Sequence, residues 1–387
     1  MMNKNTFDII IIGAGSVGLP TALYLAKEKL KVLVLDIYPS VGQGQNKCAI
    51  GGVRATHSDP AKIQTCLKSL EIFATWKDEY GDDIDFEPGG YTFPVYTETD
   101  AANLKTLLDT QKHYGLNIDW LDGPDLLDVL PGINHNGLLG GTYSPEDGHL
   151  SPIKAAAAFY RQAKNLGVEF RCGERVIDII QNNDAVSGVK TERDTYTAPV
   201  VINAAGAQAR EIGDMIGLDL PVYPDCHEAG VTEPVKHFLD PMVVDIRQFP
   251  RSKNFYFYQN FEGHFIFCIT PYPPIEGTDR RATSSFLPDA GQRLIRLFPK
   301  LQNIKVRRTW RGLYPMTLDG IPIIDEIDEV EGFYVVVGMC GQGLMLGPGV
   351  AANLAHLILD GKPLLPEELF DYFSYYRDYT GCSEALR

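Results

Sequence analysis

Three glycines and one aspartate near the start of the chain have the spacing of a nucleotide-binding turn. Gly13, Gly15 and Gly18 form the pattern G-x-G-x-x-G, and Asp36 lies 18 positions after Gly18. In this pattern the first glycine makes the turn, the second lets a pyrophosphate approach a helix N-terminus, and the third lets that helix pack closely on its strand. The aspartate binds a ribose 2′-hydroxyl and disfavours a 2′-phosphate. These residues predict an ADP-containing cofactor and leave NAD and FAD open.

A second glycine-rich turn lies near the other end of the chain, at residues 338–349, where five glycines occur within twelve residues. Backbone with so many glycines can approach a flat ligand closely. A helix beginning after Pro348 would direct its N-terminal N–H groups and the positive end of its dipole at this turn, where an anion could be stabilised. A tight connection between strand and helix, without any ligand, explains the segment equally well.

The glycine-rich, polar loop at residues 42–57 follows the strand that ends in Asp36. Loops in this position often carry function, and Gly51 and Gly52 permit close approach of the backbone. Arg54 can bind an anion through two parallel hydrogen bonds or pair with one of the many acidic side chains. The sequence does not choose between these two roles.

The elements that must position these residues follow from the apolar pattern. Residues 7–12 and 32–35 are typical of buried parallel strands, and residues 19–30 between them predict a helix, which completes a βαβ unit. Asp59 and Pro60 predict the start of a helix that runs to about Tyr80. Residues 199–206 repeat the pattern of a buried strand and glycine turn, whereas residues 219–300 are aromatic-rich, alternate and are typical of antiparallel strands.

The predicted fold class is therefore α/β. A Rossmann-like cofactor-binding domain is expected from the discontinuous segments 1–85, 148–218 and 305–387. An α+β substrate or cap domain, built on an antiparallel sheet, is expected from segments 86–147 and 219–304. The 387 residues, 44% of them hydrophobic, are enough for two or three such units.

Composition excludes several classes of partner. The formal charge is −15 and no basic cluster occurs, which argues against nucleic acid or an anionic membrane. The seven cysteines are scattered and never form C-x-x-C, so neither a disulfide framework nor a metal site is expected, and a reducing cytoplasm fits best. Residues 7–12 are too short to span a bilayer, and neither an export signal nor a transmembrane segment is expected.

Taken together, several segments resemble the D-amino-acid-oxidase-like family of FAD enzymes over nearly the whole chain. They are residues 13–36, 203–206 (NAAG), 314–324 and 338–349. The layout is most similar to the β subunits of heteromeric L-proline dehydrogenases and, more distantly, to sarcosine oxidases. That similarity lies in residues 47–54 (KCAIGGVR), 144–148 (SPEDG), 231–234 (VTEP) and 308–310 (RTW).

The resemblance implies FAD rather than NAD. It places the ADP half on the first glycine turn, the adenine against the backbone of Val176, and the flavin against residues 338–345, with Gln342 bonded to its edge. The residues so implied in FAD binding are Gly13, Gly15, Ser16, Val17, Gly18, Asp36, Asn46, Lys47, Cys48, Gly51, Gly52, Val176, Ala205, Gly206, Gly312, Gly341, Gln342, Gly343, Leu344 and Met345.

Departures from these relatives refine the expectations. Gly312 stands where monomeric sarcosine oxidase has the cysteine that carries its flavin, so FAD is expected to be non-covalent. Cys268 stands at the lysine that assists oxygen reduction, which disfavours an oxidase. His57 and Met345 replace the arginine and lysine that hold the substrate carboxylate, and Arg54 and His227 are suggested replacements. Pro152 replaces a histidine that anchors FMN, so a second, covalent flavin is not expected.

The expected activity is FAD-dependent dehydrogenation of a secondary amine or amino acid similar to proline, sarcosine or glycine. Hydride would pass to flavin N5 and leave an imine. The expected catalytic residues are Arg54, Tyr314, Tyr258 and His227. The electrons would pass to a partner or acceptor other than oxygen, for example a second subunit that carries flavin or iron–sulfur centres. The alternatives are a non-autonomous electron-transfer or interaction subunit, an oxidase of the same fold, and a hydroxy-acid enzyme. The missing basic cluster counts against a phosphorylated substrate.

Overall fold

The structure is a computed structural model that describes residues 5–381 and 384–386. Its strands, in chain order, are β1 Ile9–Ile12, β2 Val32–Asp36, β3 Gly52–Val53, β4 Tyr91–Val95, β5 Asp119–Asp122, β6 Gly140–Ser144, β7 Gly148–His149, β8 Glu169–Cys172, β9 Val176–Asn182, β10 Ala185–Thr191, β11 Thr195–Thr197, β12 Val200–Asn203, β13 Tyr223–Pro234, β14 Met242–Asp245, β15 Ser252–Gln259, β16 His264–Pro271, β17 Val306–Met316, β18 Ile323–Glu326 and β19 Phe333–Val337. Its helices are α1 Gly18–Lys27, α2 Pro60–Tyr80, α3 Glu98–His113, α4 Gly123–Val129, α5 Pro152–Asn165, α6 Ala209–Asp214, α7 Phe286–Leu297, α8 Gly343–Asp360 and α9 Glu367–Phe370.

A six-stranded sheet forms the nucleotide-binding part, in the order β18-β19-β12-β1-β2-β8. β1 lies at its centre and pairs in parallel with β2 and β12, as the predicted βαβ unit requires. All four residues of β1 are buried, because one apolar cluster that includes α1 and α8 covers one face and a second cluster that includes β9 and β10 covers the other. The continuous apolar run therefore reflects burial on both faces.

Helix α2 has the boundaries that its capping residues predict. Asp59 is the N-cap and its carboxylate accepts a hydrogen bond from the Lys62 N–H at 2.9 Å, and Pro60 occupies the first helical position. Gly81 ends the helix with φ of +73°, the left-handed conformation that favours glycine. This helix packs against α8.

An eight-stranded sheet forms the second layer, in the order β17-β13-β16-β15-β14-β4-β6-β5. It joins strands from segments 86–147 and 219–304, which were expected to form one cap domain. β17, Val306–Met316, also belongs to this sheet because it pairs along its length with β13. The sheet thus takes residues that lie beyond the expected boundary at 304, in the segment assigned to the cofactor-binding domain.

Helix α8 corrects the expectation for the second glycine turn. The helix begins at Gly343, not after Pro348, which lies inside it. A Cβ on Gly347 would meet the Ser16 carbonyl oxygen at 2.1 Å, and one on Gly349 would meet the Thr65 carbonyl oxygen at 2.1 Å. These two glycines therefore allow α8 to pack against the start of α1 and against α2, and do not serve a ligand.

By length and composition, α8 is also the one helix among residues 5–381 and 384–386 that could cross a membrane. Of its residues, 67% are buried inside the protein. A core helix has the same properties.

Candidate functional site

One cavity of about 1320 Å³ lies between the six-stranded and eight-stranded sheets. The carboxyl ends of β1 and β2 line one side, and residues of β4, β14 and β15 line the other. Ligands of parallel α/β sheets bind outside these carboxyl ends. Both glycine turns open into this same space, although they lie more than 300 positions apart in the chain.

The three glycines of the first turn have separate roles, as their spacing predicts. Gly13 has φ of +115°, and a Cβ there would meet the Ala204 carbonyl oxygen at 2.4 Å. A Cβ on Gly18 would meet the Gly13 carbonyl oxygen at 1.9 Å, so this glycine allows the helix to pack against the turn. Around Gly15, by contrast, nothing lies within 4 Å of an added Cβ, and this residue lines the cavity. The open space sits at the N-terminus of α1, where a pyrophosphate is stabilised.

Asp36 connects the end of β2 to the glycine turn. One of its carboxylate oxygens accepts the Ala14 N–H at 2.7 Å, and the other accepts the Tyr38 N–H at 2.8 Å. Each carboxylate oxygen has a second lone pair, which a ribose hydroxyl can use. Val176, Ala205 and Gly206 line the same end of the cavity.

The second glycine turn forms the other end of the cavity. Gly338 and Gly341 have φ of +68° and +80°, and a Cβ on Gly341 would meet the Tyr314 ring at 2.1 Å. Residues 342–345 follow and line the cavity as the first turn of α8. Because α8 begins at Gly343, the N–H groups and dipole that can stabilise an anion belong to residues 343–345 and not to residues after Pro348.

Three buried amide atoms at the cofactor side of the cavity are among the polar atoms without a hydrogen-bond partner in the described residues. They are Gln45 Nε2, Asn46 Oδ1 and Gln342 Oε1. Buried polar atoms are normally paired, so this cradle is complete only with a polar ligand. An elongated ligand with a pyrophosphate at one end and a flat, polar-edged ring at the other fits the residues present, and FAD has this form.

Most of the predicted cofactor residues line this cavity, but two do not. Gly18 packs against Gly13, and the exposed Lys47 donates to the Gln43 side chain at 3.1 Å. The residues that do line the cavity are Gly13, Gly15, Ser16, Val17, Asp36, Asn46, Cys48, Gly51, Gly52, Val176, Ala205, Gly206, Gly312, Gly341, Gln342, Gly343, Leu344 and Met345.

Gly312 faces Cys48 across the cavity wall. A Cβ on Gly312 would lie 2.8 Å from the Cys48 Cβ, so Cys48 occupies the space that a side chain at position 312 would need. The Arg280 guanidinium donates to the Cys48 sulfur at 3.1 Å. Packing therefore requires glycine at position 312. Glycine also has no side-chain group to which a flavin could be attached covalently.

Two tyrosines and a histidine form an aromatic group on the cavity wall. The hydroxyls of Tyr256 and Tyr314 are 2.5 Å apart, and His227 stacks on the Tyr314 ring at 3.7 Å. Burial raises the pKa of both tyrosines well above the usual value, so both hydroxyls are protonated at neutral pH. The Cys268 thiol is a further hydrogen-bond neighbour of both hydroxyls, so the two tyrosines and the cysteine form one polar group at the cavity wall.

His227 is 5% exposed, and its Nε2 lies 3.1 Å from an Asp225 carboxylate oxygen. A carboxylate only accepts, so Nε2 carries the proton that it donates to Asp225. Nδ1 is buried and has no partner among the described residues. Asp225 thus fixes the orientation of the ring on the cavity wall.

Tyr258, expected among the catalytic residues, is not on the cavity wall. Its hydroxyl donates to the Ile50 carbonyl oxygen at 2.6 Å, and its ring stacks on His149 at 4.1 Å. The Tyr258 hydroxyl packs against the loop at Gly51 on the side away from the cavity. Its position makes it a positioning residue.

Cys268 lies behind the tyrosine pair. Burial raises the pKa of its thiol to about 11, so it is neutral at physiological pH. No positive charge therefore arises at this position.

Arg54 brings a buried guanidinium to the cavity wall, and its charge acts to lower the pKa of the buried Asp147 carboxyl. The residue is 6% exposed, and its Nη2 donates to the Leu386 carbonyl oxygen at 2.5 Å. Nη1 has no partner, and no carboxylate of the described chain lies within ion-pairing distance. A buried charge is costly unless paired, so this guanidinium is suited to an anionic ligand. Of the two roles left open by the sequence, the geometry favours anion binding.

Sequence reasoning missed a buried charged group next to Arg54. Glu384 lies 3.6 Å from the Lys62 Nζ and 3.7 Å from the His57 Nδ1, and all three side chains are fully buried. Arg54 and Leu386 are likewise 332 positions apart. No local pattern signals contacts of this separation. His57 faces this group and does not line the cavity.

The buried His57 is expected to lower the free energy of unfolding of the protein at acid pH. Burial, aided by the charges of Arg54 and Lys62, holds the pKa of His57 well below 6.5, although Glu384 acts in the opposite direction. The unfolded chain binds a proton at His57 below pH 6.5 and the folded chain does not, so the stability present above that pH is lost as pH falls. Between pH 8 and pH 5 this amounts to about 2 kcal/mol.

Urea denaturation of the parent and of His57→Gln at both pH values measures this contribution as the difference between their losses. Asp147, whose pKa burial raises to about 6, changes stability in the opposite direction but equally in both proteins. His356→Gln, at an exposed histidine, is the matched control and should behave as the parent. If the parent and His57→Gln lost the same free energy of unfolding between pH 8 and pH 5, the lowered pKa of His57 would be contradicted.

Comparison with known proteins gives a family match and full-length relatives. A family model described as FAD dependent oxidoreductase matches residues 8–357. Sarcosine oxidase subunit beta of Arthrobacter sp is 27% identical over 369 residues, which cover 93% of this chain and 88% of that protein. Glycine oxidase of Geobacillus kaustophilus is 26% identical, over 91% of this chain and 93% of that protein. Among solved structures, L-proline dehydrogenase from P. horikoshii has a TM-score of 0.91 and 28% identity, and covers 98% of this chain and 99% of that chain.

Proposed function

The chain belongs to the FAD-dependent oxidoreductase family, DAO, and we propose that within it the protein is a dehydrogenase of a small secondary amine or amino acid. The family match confirms FAD as the cofactor, which the first glycine turn alone left open against NAD, and confirms oxidation of amino acids or amines as the class of reaction. Proline, sarcosine and glycine are the proposed types of substrate.

The observation that carries this proposal is Arg54. Its guanidinium faces the cavity with Nη1 unpaired among the described residues, and the rings of Tyr91 and Phe93 lie 5.7 Å from it. A planar guanidinium held in one orientation can bind a carboxylate strongly and with a fixed geometry. The α-carboxylate of an amino acid is the ligand of matching charge and size.

Other residues of the wall are suited to the amine. His227 Nδ1 can accept a proton from the substrate ammonium, because Asp225 holds the other ring nitrogen in its protonated form. The paired hydroxyls of Tyr256 and Tyr314 lie on the cavity wall, where they can fix the position of the substrate. FAD, when bound, supplies a flavin N5 that accepts a hydride from the carbon next to nitrogen, so that the substrate becomes an imine. A neutral amine is required for that step, and His227 provides it.

The electron acceptor is proposed to be a partner or acceptor other than oxygen. The neutral Cys268 thiol behind the tyrosines, and the neutral Met345 thioether on the wall, place no cation at either position. Oxygen reduction benefits from a positive charge near the flavin, because superoxide is an anion. Sarcosine oxidase subunit beta is by its name one chain of an assembly, which supports a second subunit as acceptor. Non-covalent FAD and a cytoplasmic location complete the proposal.

Anaerobic bleaching of the flavin tests the reaction. The yellow holoprotein is mixed without oxygen with L-proline, sarcosine, glycine, D-amino acids and glycerol 3-phosphate, and loss of flavin absorbance is followed. We expect at least one of the amino acids to reduce the flavin and glycerol 3-phosphate to leave it oxidised. Bleaching by the hydroxy compound alone would overturn the proposal.

Turnover with an artificial acceptor, compared with turnover in air, tests the proposal that the electron acceptor is not oxygen. The expected result is rapid dye reduction and slow oxygen consumption. Equal rates in both assays would identify an oxidase.

A further inference from the structure

The segment at residues 384–386 reaches the substrate end of the cavity from a distant part of the chain. The Ser58 backbone N–H and hydroxyl donate to Glu384 Oε1 at 3.0 and 2.7 Å, and the Ala385 N–H donates to the Ser58 hydroxyl at 2.8 Å. The Leu386 N–H donates to the same Glu384 oxygen at 2.9 Å. These bonds fix the segment against the start of α2.

Buried charges anchor the segment. Glu384 is 2% exposed and lies close to Lys62 and His57. Burial raises the pKa of Glu384, but the positive charge of Lys62 and the Ser58 donors outweigh it, so the pKa lies well below the usual value and the carboxylate is ionised. Displacement of this carboxylate would leave the buried Lys62 charge without its ion-pair partner, which is costly.

Leu386 presents two groups to the cavity. Its side chain is 7% exposed and packs in the apolar cluster that contains Tyr91, Phe93, Met242 and Val244. Its carbonyl oxygen accepts from Arg54 Nη2, whereas the buried Nη1 has no partner among the described residues. The same residue therefore forms apolar wall and orients the guanidinium.

We propose that Leu386 is a specificity-determining residue that limits the size of the substrate side chain. This inference rests on the proposed function, in which Arg54 binds the substrate carboxylate. A carboxylate on Nη1 places the rest of the substrate within reach of the wall that Leu386, Tyr91 and Phe93 share. The leucine side chain then fills the volume that a longer substrate would need. In an apolar pocket a difference of even one methylene changes discrimination by about tenfold or more.

Two substitutions of opposite size test the proposal. Anaerobic flavin reduction by glycine, sarcosine, L-proline, L-leucine and L-phenylalanine is measured for the holoenzyme, Leu386→Ala and Leu386→Phe. In Leu386→Ala the specificity ratio of large over small substrates should rise by at least about tenfold, and in Leu386→Phe it should fall. Leu364→Ala, at a residue that is 48% exposed and outside the cavity, is the matched control and should leave the ratio unchanged.

A binding measurement separates this inference from the proposed function. Acetate, pyrrole-2-carboxylate and benzoate are titrated into each oxidised holoprotein, and perturbation of the flavin absorbance gives the dissociation constants. If no amino acid reduces the flavin, the proposed function is wrong. A shift of binding preference toward benzoate in Leu386→Ala would even then support the inference that Leu386 limits the size of the ligand. Unchanged ratios in both assays, with both variants folded by circular dichroism, would overturn the inference.

Discussion

Replacement of Arg54 by methionine is expected to lower kcat/KM for the amino-acid substrate by roughly 30- to 5,000-fold. Truncating one member of a buried, hydrogen-bonded charge pair costs about 2–5 kcal/mol, and each 1.36 kcal/mol is tenfold in rate. Methionine retains much of the apolar stem but removes the charge that faces the cavity. Arg54→Lys restores the charge without the planar fork, so we expect only partial recovery.

The measurement is anaerobic flavin reduction over a range of substrate concentrations. A secondary amine without a carboxylate serves as the internal comparison, since it should lose much less than an amino acid in Arg54→Met. Arg296→Met makes the same chemical change at an exposed site outside the cavity and should leave the kinetics unchanged. Equal losses for substrates with and without a carboxylate would show that Arg54 acts only on the fold.

Replacement of Gly15 by alanine is expected to weaken FAD binding by at least about 100-fold, or about 2.7 kcal/mol, with the fold intact. An added Cβ at this position meets no atom within 4 Å, so the apoprotein has room for it. The methyl group would instead enter the space where the backbone approaches the pyrophosphate. Gly13→Ala is different, since φ of +115° and a contact at 2.4 Å make that substitution destabilise the protein itself.

Titration of apoprotein with FAD gives the dissociation constants, and far-UV circular dichroism reports the fold. Gly291→Ala is the matched control, because it also has open space around the added Cβ but lies in α7, away from the cavity. It should bind FAD as the parent does. Parent-like affinity in Gly15→Ala would place the pyrophosphate elsewhere.

Local features were predictable from sequence where a few adjacent residues decide them. The glycine turn before α1 and the N-cap of α2 depend on steric and hydrogen-bonding requirements within one turn of backbone, and the structure has them at the predicted positions. The predicted start of α8 was wrong. The prediction relied on the preference of proline for the first turn of a helix, whereas packing of α8 against α1 and α2 stabilises a helix that contains Pro348.

Side-chain exposure to the cavity was less predictable. Tyr256 and Tyr258 alternate on β15 and point to the same face of the sheet, yet only Tyr256 lines the cavity. The loop that contains Ile50 covers Tyr258. Strand periodicity gives the face of a residue, but the elements that cover that face decide its exposure.

The sequence by itself determined that this protein has a βαβ cofactor-binding unit with an acidic ribose contact, and through resemblance that the cofactor is FAD. These properties depend on residues within about one βαβ unit or on motifs that relatives share. Only the tertiary structure decided that Arg54 lines the cavity without an ion pair among the described residues, that Asp225 fixes the His227 ring, and that Leu386 lines the same cavity. The physical reason is that the environment of a buried side chain depends on the residues that pack against it. For Arg54 one of these is Leu386, which lies 332 positions away in the chain.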